Sequence, residues 1–311
     1  MDIGLVALSF MAIALMRVAQ KVSVKKVSGE VQGRIFFCYG GYYNLLSALF
    51  SLITLFIVGF DGFNMPTILC ALATAICLGL ELFASLEGLK LTTLVVNQMF
   101  SVGAIIIPCI VGIFFFNEPM TIWQWVGIGV FVIAMYFMVS KTKQSNTKKT
   151  ERFSLKAIML LLLTLFAGGG TRVAQKAFAV VVPNGNVAAY SFLMFALNAI
   201  IMYIGYSISF LPKNNKVQRL ETTFEEKQRA KLPRVLLVRG LILAFAVFVI
   251  NMLVTELGKH ISSAILFSID NAIVILITIL VGAICYKEKI TIRNILGIVL
   301  CVGAIAMINF L

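Results

Sequence analysis

The chain has 311 residues, 60% of them hydrophobic and 13% charged, with a mean hydropathy of +1.01. A soluble globular chain carries about 25% charged residues, so this composition excludes an ordinary soluble domain and describes a polytopic membrane protein. The formal net charge of +13 would suit a nucleic-acid partner in a soluble protein, but its placement along this chain points elsewhere.

A helix crosses the hydrocarbon core in about 20 residues. Apolar runs of that order recur at 3–24, 35–59, 66–88, 92–116, 121–140, 154–180, 187–211, 235–257, 261–285 and 291–310. They predict an all-α integral membrane protein of ten transmembrane helices. The runs are too long and too evenly apolar for the alternation of a barrel strand. The first run starts at Ile3 with no basic segment before it, which argues against a cleaved signal peptide. Cys38, Cys70, Cys77, Cys109, Cys285 and Cys301 all fall inside predicted helices without a CxxC pair, so they read as small buried apolar residues. His260 is the single histidine, and no metal site is expected. Neither a Walker loop nor a GxGxxG run is present, and no nucleophile–base pair stands out. The sequence therefore predicts neither an enzyme nor a cofactor.

Loop charges fix the expected orientation. With both termini on the extracytoplasmic side, Lys259 is the one loop Lys or Arg left outside. Lys21, Lys25, Lys26, Arg34 and Lys90, the linker cations from Lys141 to Arg152, those of 212–234, and Lys287, Lys289 and Arg293 all fall inside. This is the positive-inside rule. It makes the basic surplus a mark of topology and leaves lipid rather than nucleic acid as the surrounding partner; the membrane expected is the plasma (bacterial inner) membrane.

Two segments repeat. VGIFFFNEPMTIWQWVGI at 111–128 lies over VGAICYKEKITIRNILGI at 281–298, an offset of 170, and Gly88/Gly258 keep the same register. RVAQK at 17–21 recurs at 172–176, an offset shortened to 155 because the loop 212–234 lengthens the second half. The chain divides into a five-helix repeat over 1–140, a cytoplasmic linker over 141–153 and a second repeat over 154–311. Five is odd, so the second unit enters the membrane from the opposite face. Inverted repeats around a midplane site mark secondary transporters.

Glu118, Pro119, Thr121, Gln124 and Gly127, together with the five-plus-five layout and the Lys ending the first helix of each repeat (Lys21, Lys176), resemble the EamA-type repeat of the drug/metabolite transporter superfamily. The resemblance implies export of amino acids, drugs or metabolites, or movement of nucleotide sugars and phosphates. One departure stands out: where that family often has a Trp-Gly pair before the Lys, this chain has Ala14 in one copy and Gly169 in the other.

An ionisable group at mid-bilayer costs about 2.5–3.5 kcal/mol on insertion scales, which makes it a functional candidate. Arg17 and Arg172 each stand four residues before a Lys, on one helix face. Glu81 lies at the depth of Arg17, and Asp270 at the depth of Arg172. Each Arg is then a lock for its carboxylate, a snorkelling side chain, or a fork for the acidic part of a substrate. Asn97, Gln98 and Ser101 lie in the fourth helix and Ser268, Asp270 and Asn271 in the ninth; at the offset of 170 Gln98 meets Ser268 and Ser101 meets Asn271, and Asn251 takes the place of Glu81 in the eighth. The resemblance implies that these helices line a central cavity. Glu81 and Asp270 are the candidates for proton coupling. Lys176 is expected to reach Glu256. Glu118 and Glu288 are expected to cap the helices that follow them. Gly168-Gly169-Gly170 reads as a close helix contact.

The sequence thus predicts a carrier, as monomer or homodimer, that exports or exchanges a small polar metabolite of the amino-acid or organic-anion class. A proton-coupled exporter of cationic drugs is the alternative within transport. A non-transporting scaffold or sensor is the alternative outside it.

Overall fold

The structure is a computed structural model that describes residues 8–9, 11–13, 15–16, 18–19, 34–60, 62–92, 94–116, 121–139, 155–208, 234–262, 265–267, 270, 295–297, 299–300, 303–304 and 307. The regular structure among them is helical. In chain order the helices are α1 (Arg34–Val58), α2 (Met65–Leu91), α3 (Leu94–Gly103), α4 (Ile106–Phe115), α5 (Ile122–Val139), α6 (Leu155–Val181), α7 (Val187–Ile208) and α8 (Arg234–Leu257). Helical residues also occur between 8 and 19 and beyond 262. Among the described residues, α1, α2, α6, α7 and α8 are long and apolar enough to cross a membrane.

Local chemistry sets the ends. The chain leaves α1 through Gly59, whose φ of +100° is strained for any side chain; its amide closes on Leu55 O at 2.9 Å. Pro66 sits in the first turn of α2, where no amide is required of it. Asn186 caps α7, its Oδ1 accepting from the amides of Ala188 (3.0 Å) and Ala189 (3.2 Å). Thr121 and Gln124 form a reciprocal capping box at the start of α5. The Gln124 amide donates to Thr121 Oγ1 at 3.3 Å, and the Thr121 amide donates to Gln124 Oε1 at 3.0 Å, so two orphan donors are satisfied at once.

One expectation needs correction. The single helix expected over 92–116 is two, α3 and α4, separated by a turn at Ala104–Ile105. Pro108 has no amide to offer Ala104 O four residues back, and that carbonyl takes the Ile107 amide instead at 3.3 Å. The Ile105 amide likewise shortens its reach, to Val102 O at 3.1 Å.

Helix α7 runs antiparallel to α1: Phe37 meets Gly205, Gly40 meets Met202, and Leu55 packs with Ala188 and Ala189. At the shared end Asn186 donates to Gly59 O at 2.7 Å and Lys259 donates to Gly185 O at 2.9 Å. Helix α2 packs against α6 and also lies parallel to α7, with Thr74 against Tyr190 and Asn198 donating to Ala75 O. Helix α1 lies parallel to α8, with Tyr42 reaching Leu237 O and Ser47 reaching Ala244 O. The core between them is aromatic and thioether-rich, built on Tyr39, Phe178, Tyr190, Met194, Phe195 and Met202, with Phe178 stacked on Tyr190 at 4.2 Å. The outer surface is apolar. Phe56 and Ile122 are each 80% exposed, an arrangement that water would penalise and lipid tails accept.

Candidate substrate site

The second RVAQK copy lies in α6, and its three polar side chains reach in different directions. Arg172 Nη1 donates to Ser101 O at 3.1 Å, joining α6 to the end of α3. Gln175 donates to Asn251 Oδ1 at 2.6 Å, joining α6 to α8. Lys176, 5% exposed, donates to Gly258 O at 3.1 Å and Ile261 O at 3.0 Å. A cation here neutralises carbonyls at and beyond the C-terminal end of α8, where the helix dipole is negative. Glu256, the partner expected for Lys176, forms an ion pair with Lys259 at 3.1 Å and lies 4.0 Å from His260.

The Arg172–Ser101 bond follows from the helix break. In a continuous helix Ser101 O would take the Ile105 amide. That amide has turned to Val102, and Arg172 supplies a charged donor in its place. A carbonyl left bare inside a membrane costs several kcal/mol. The break and the guanidinium are therefore one feature.

Glu81 comes to the same residue from α2. Ser101 Oγ donates to Glu81 Oε1 over a long 3.4 Å, and the carboxylate lies over bare backbone at Gly168, one turn before Arg172. A methyl at Gly168 would stand 3.1 Å from Glu81 Oε1 and 3.3 Å from Ala104 Cβ. Ser101 thus stands between an acid from α2 and a guanidinium from α6. All three side chains are half-buried, while Val102, Ala104, Gly168 and Gly169 beside them are buried. Gly169 faces Ile107, and Gly170 faces Cys77, whose Sγ would lie 2.7 Å from an added methyl. The three glycines are the close contact that lets α6 approach α2, α3 and α4.

Two further candidates make bonds of their own. Asn97 is 2% exposed and donates to Ser85 O at 2.7 Å, tying α3 to α2. Asn251 is half-buried, accepts from Gln175 and donates to Val247 O. Asp270 is 1% exposed. Arg17, Ser268 and Asn271, the side chain of Gln98, and Glu118 and Glu288 lie outside the described residues. Gln175 was not singled out from the sequence, although it stood inside the quoted repeat and shares a helix face with Arg172. Gly168 was read for contact alone, since its facing Glu81 depends on how α2 and α6 pack. Among the described residues no three His, Cys, Asp or Glu side chains gather as a metal site.

Long apolar helices with lipid-facing aromatics around a cluster of buried and half-buried polar groups define a multi-pass membrane protein with a polar interior. A model of the EamA-like transporter family matches residues 155–310, and the chain belongs to that family, within the drug/metabolite transporter superfamily. It is a membrane transporter, with the small-molecule substrate and lipid surroundings that this implies. The match falls on the half that carries Arg172, Gln175 and Lys176. No curated protein sequence matches the chain. Twenty-eight chains of known structure match it. One of them, described only as the crystal structure of a protein, is 11% identical with a TM-score of 0.60, covering 96% of this chain and 94% of its own. At that identity the likeness establishes the fold alone.

Proposed function

We propose that this transporter is a secondary carrier that exports or exchanges a small polar metabolite of the amino-acid or organic-anion class across the plasma membrane by alternating access. The observation that carries this reading is the meeting of Glu81 and Arg172 on the two sides of Ser101. A guanidinium fork suits a carboxylate or phosphate, and a carboxylate suits an ammonium group or a proton. Both side chains are only half-buried, as residues lining a cavity are. Arg17, Asn97, Gln98, Asn251, Ser268, Asp270 and Asn271 complete the proposed lining, and Glu81 or Asp270 would carry the proton if transport is proton-coupled.

Helix directions support two inverted halves, 1–140 and 154–311, joined by the linker 141–153. In such an arrangement α1 and α7 are the second helices of each half, and they run antiparallel. The pairing of α1 with α8 is then the counterpart of that between α7 and α2, and both are parallel. The alternating rocking of one half against the other is the motion this symmetry allows.

One observation favours the second reading, a proton-coupled exporter of cationic compounds. Arg172 already holds a carbonyl, while the Ser101 bond to Glu81 is long and weak, which leaves the carboxylate ready for a cation. Thermal stabilisation of the purified protein by amino acids, organic acids, sugar phosphates and cationic dyes separates the readings. Anionic or zwitterionic compounds should raise the melting temperature of wild type and not that of Arg172→Gln. Stabilisation by cationic dyes alone, lost in Glu81→Gln, would replace the first reading with the second.

A further inference from the structure

We propose that Arg172 is the latch of the α3–α4 break, and that a substrate's acidic group releases it. The ligand half of this proposal rests on the carrier reading above; the latch half does not.

Two defects meet in the break, and proline accounts for one. Pro108 deprives Ala104 O of its helical donor but has no bearing on Ser101 O, whose natural donor, the Ile105 amide, is present. That amide points to Val102 instead. The Ser101 carbonyl does without it because Arg172 Nη1 reaches it from α6 at 3.1 Å. Through this bond the guanidinium stabilises the broken form, and a form where Ile105 serves Ser101 does not need the bond. An acidic group that takes the fork of Arg172 removes this advantage. The carbonyl then regains a partner by recovering the Ile105 amide, and α3 and α4 join across Ser101–Ile105 while the local bend at Pro108 remains. A ligand shifts a conformational equilibrium only by binding its two states differently, and this bond supplies the difference. The arrangement links occupancy of a site between α2 and α6 to the shape of the helix that closes its third side.

Ile105 provides the control. Its φ of −60° already fits a proline ring, and Ile105→Pro would remove the only amide able to close the break. Nitroxides are placed on Leu94 and Phe115, at the two ends of α3–α4, in a cysteine-free background, and their separation is read by pulsed electron resonance. An uninterrupted helix would set these backbone positions about 32 Å apart. The latch predicts that Arg172→Gln moves the distance distribution toward that value without any ligand. Arg172→Lys, which keeps a cationic donor, should stay near wild type, and adding Ile105→Pro to Arg172→Gln should restore the wild-type distribution. In wild type, saturating succinate or inorganic phosphate should produce the same shift as Arg172→Gln, and neither should move the variant further. A wild-type distribution in Arg172→Gln overturns the latch, as does a shift that Ile105→Pro fails to reverse. If Arg172→Gln shifts while neither anion moves wild type, release by acidic ligands is overturned and the carrier reading loses its anion, with the latch itself intact.

Discussion

Three side chains of one five-residue motif illustrate how a charge survives inside a membrane helix. Lys176 donates to two backbone carbonyls beyond α8, Arg172 to the carbonyl exposed by a helix break, and Gln175 to a side-chain amide. At Ser101 the partner is a carbonyl whose helical donor has turned away, so there the polar residue and the irregular backbone stabilise one another. Hydrogen bonds from a charged donor are worth about 1.5–3 kcal/mol. Lys176→Met should therefore lower the melting temperature of the purified protein by several degrees while leaving any ligand-induced rise intact. Lys176→Arg, which keeps the cation, should recover most of the loss. A ligand response abolished in Lys176→Met at unchanged stability would instead place this lysine in the substrate site. The sequence showed that Arg172 and Lys176 were costly and so had partners. It did not show which partners, because three of the acceptors are carbonyls whose availability depends on where α3 and α8 end.

At the scale of elements, spacing and hydropathy located α1, α2 and α5 to α8 within a few residues. Periodicity alone could not reveal the division of 92–116. Every residue of that run is compatible with a helix except Pro108, and a proline inside an apolar run bends a helix more often than it divides it. The capping role anticipated for Glu118 has a described counterpart three residues on, where Thr121 and Gln124 satisfy one another. The family-like T-x-x-Q pattern thus has a structural meaning of its own. The glycine run behaves as close packing requires. Gly169→Ala would drive a methyl into Ile107 and should cost about 1–3 kcal/mol as an overpacked contact, seen as a lower melting temperature. Gly129→Ala meets nothing within 4 Å and should be neutral or slightly stabilising, given the better helix propensity of alanine. Equal effects from the two substitutions would mean that α6 does not approach α4 as closely as drawn.

For the whole molecule, the one-sided loop charges give the sidedness, and the antiparallel course of α1 and α7 is the relation that the proposed inverted halves require. The first is a property of sequence, and the second of packing. Together they predict that a cysteine at Asn184, in the turn between α6 and α7, reacts with a membrane-impermeant thiol reagent added to intact cells. A cysteine at Ser145, in the linker, should react only after the membrane is opened; the reverse pattern would invert the proposed topology. The all-helical, membrane-spanning character was legible because bilayer thickness and backbone satisfaction admit few solutions for so apolar a chain. The site was legible only in part. Glu81, Ser101 and Arg172 were each marked by polarity within apolar runs, but depth-matching paired the arginines and carboxylates within each half, whereas Glu81 and Arg172 meet across the two halves at Ser101, which only the packing of α2 on α6 reveals. The most direct test of that site is counterflow in proteoliposomes, with a panel of labelled amino acids and organic anions presented to wild type, Glu81→Gln and Arg172→Gln at equal reconstitution. At least one compound should exchange saturably in wild type, and both variants should lose it by roughly tenfold or more, the consequence of removing about 1.4 kcal/mol of recognition. Saturable exchange that persists undiminished in both variants would contradict the Glu81–Ser101–Arg172 site.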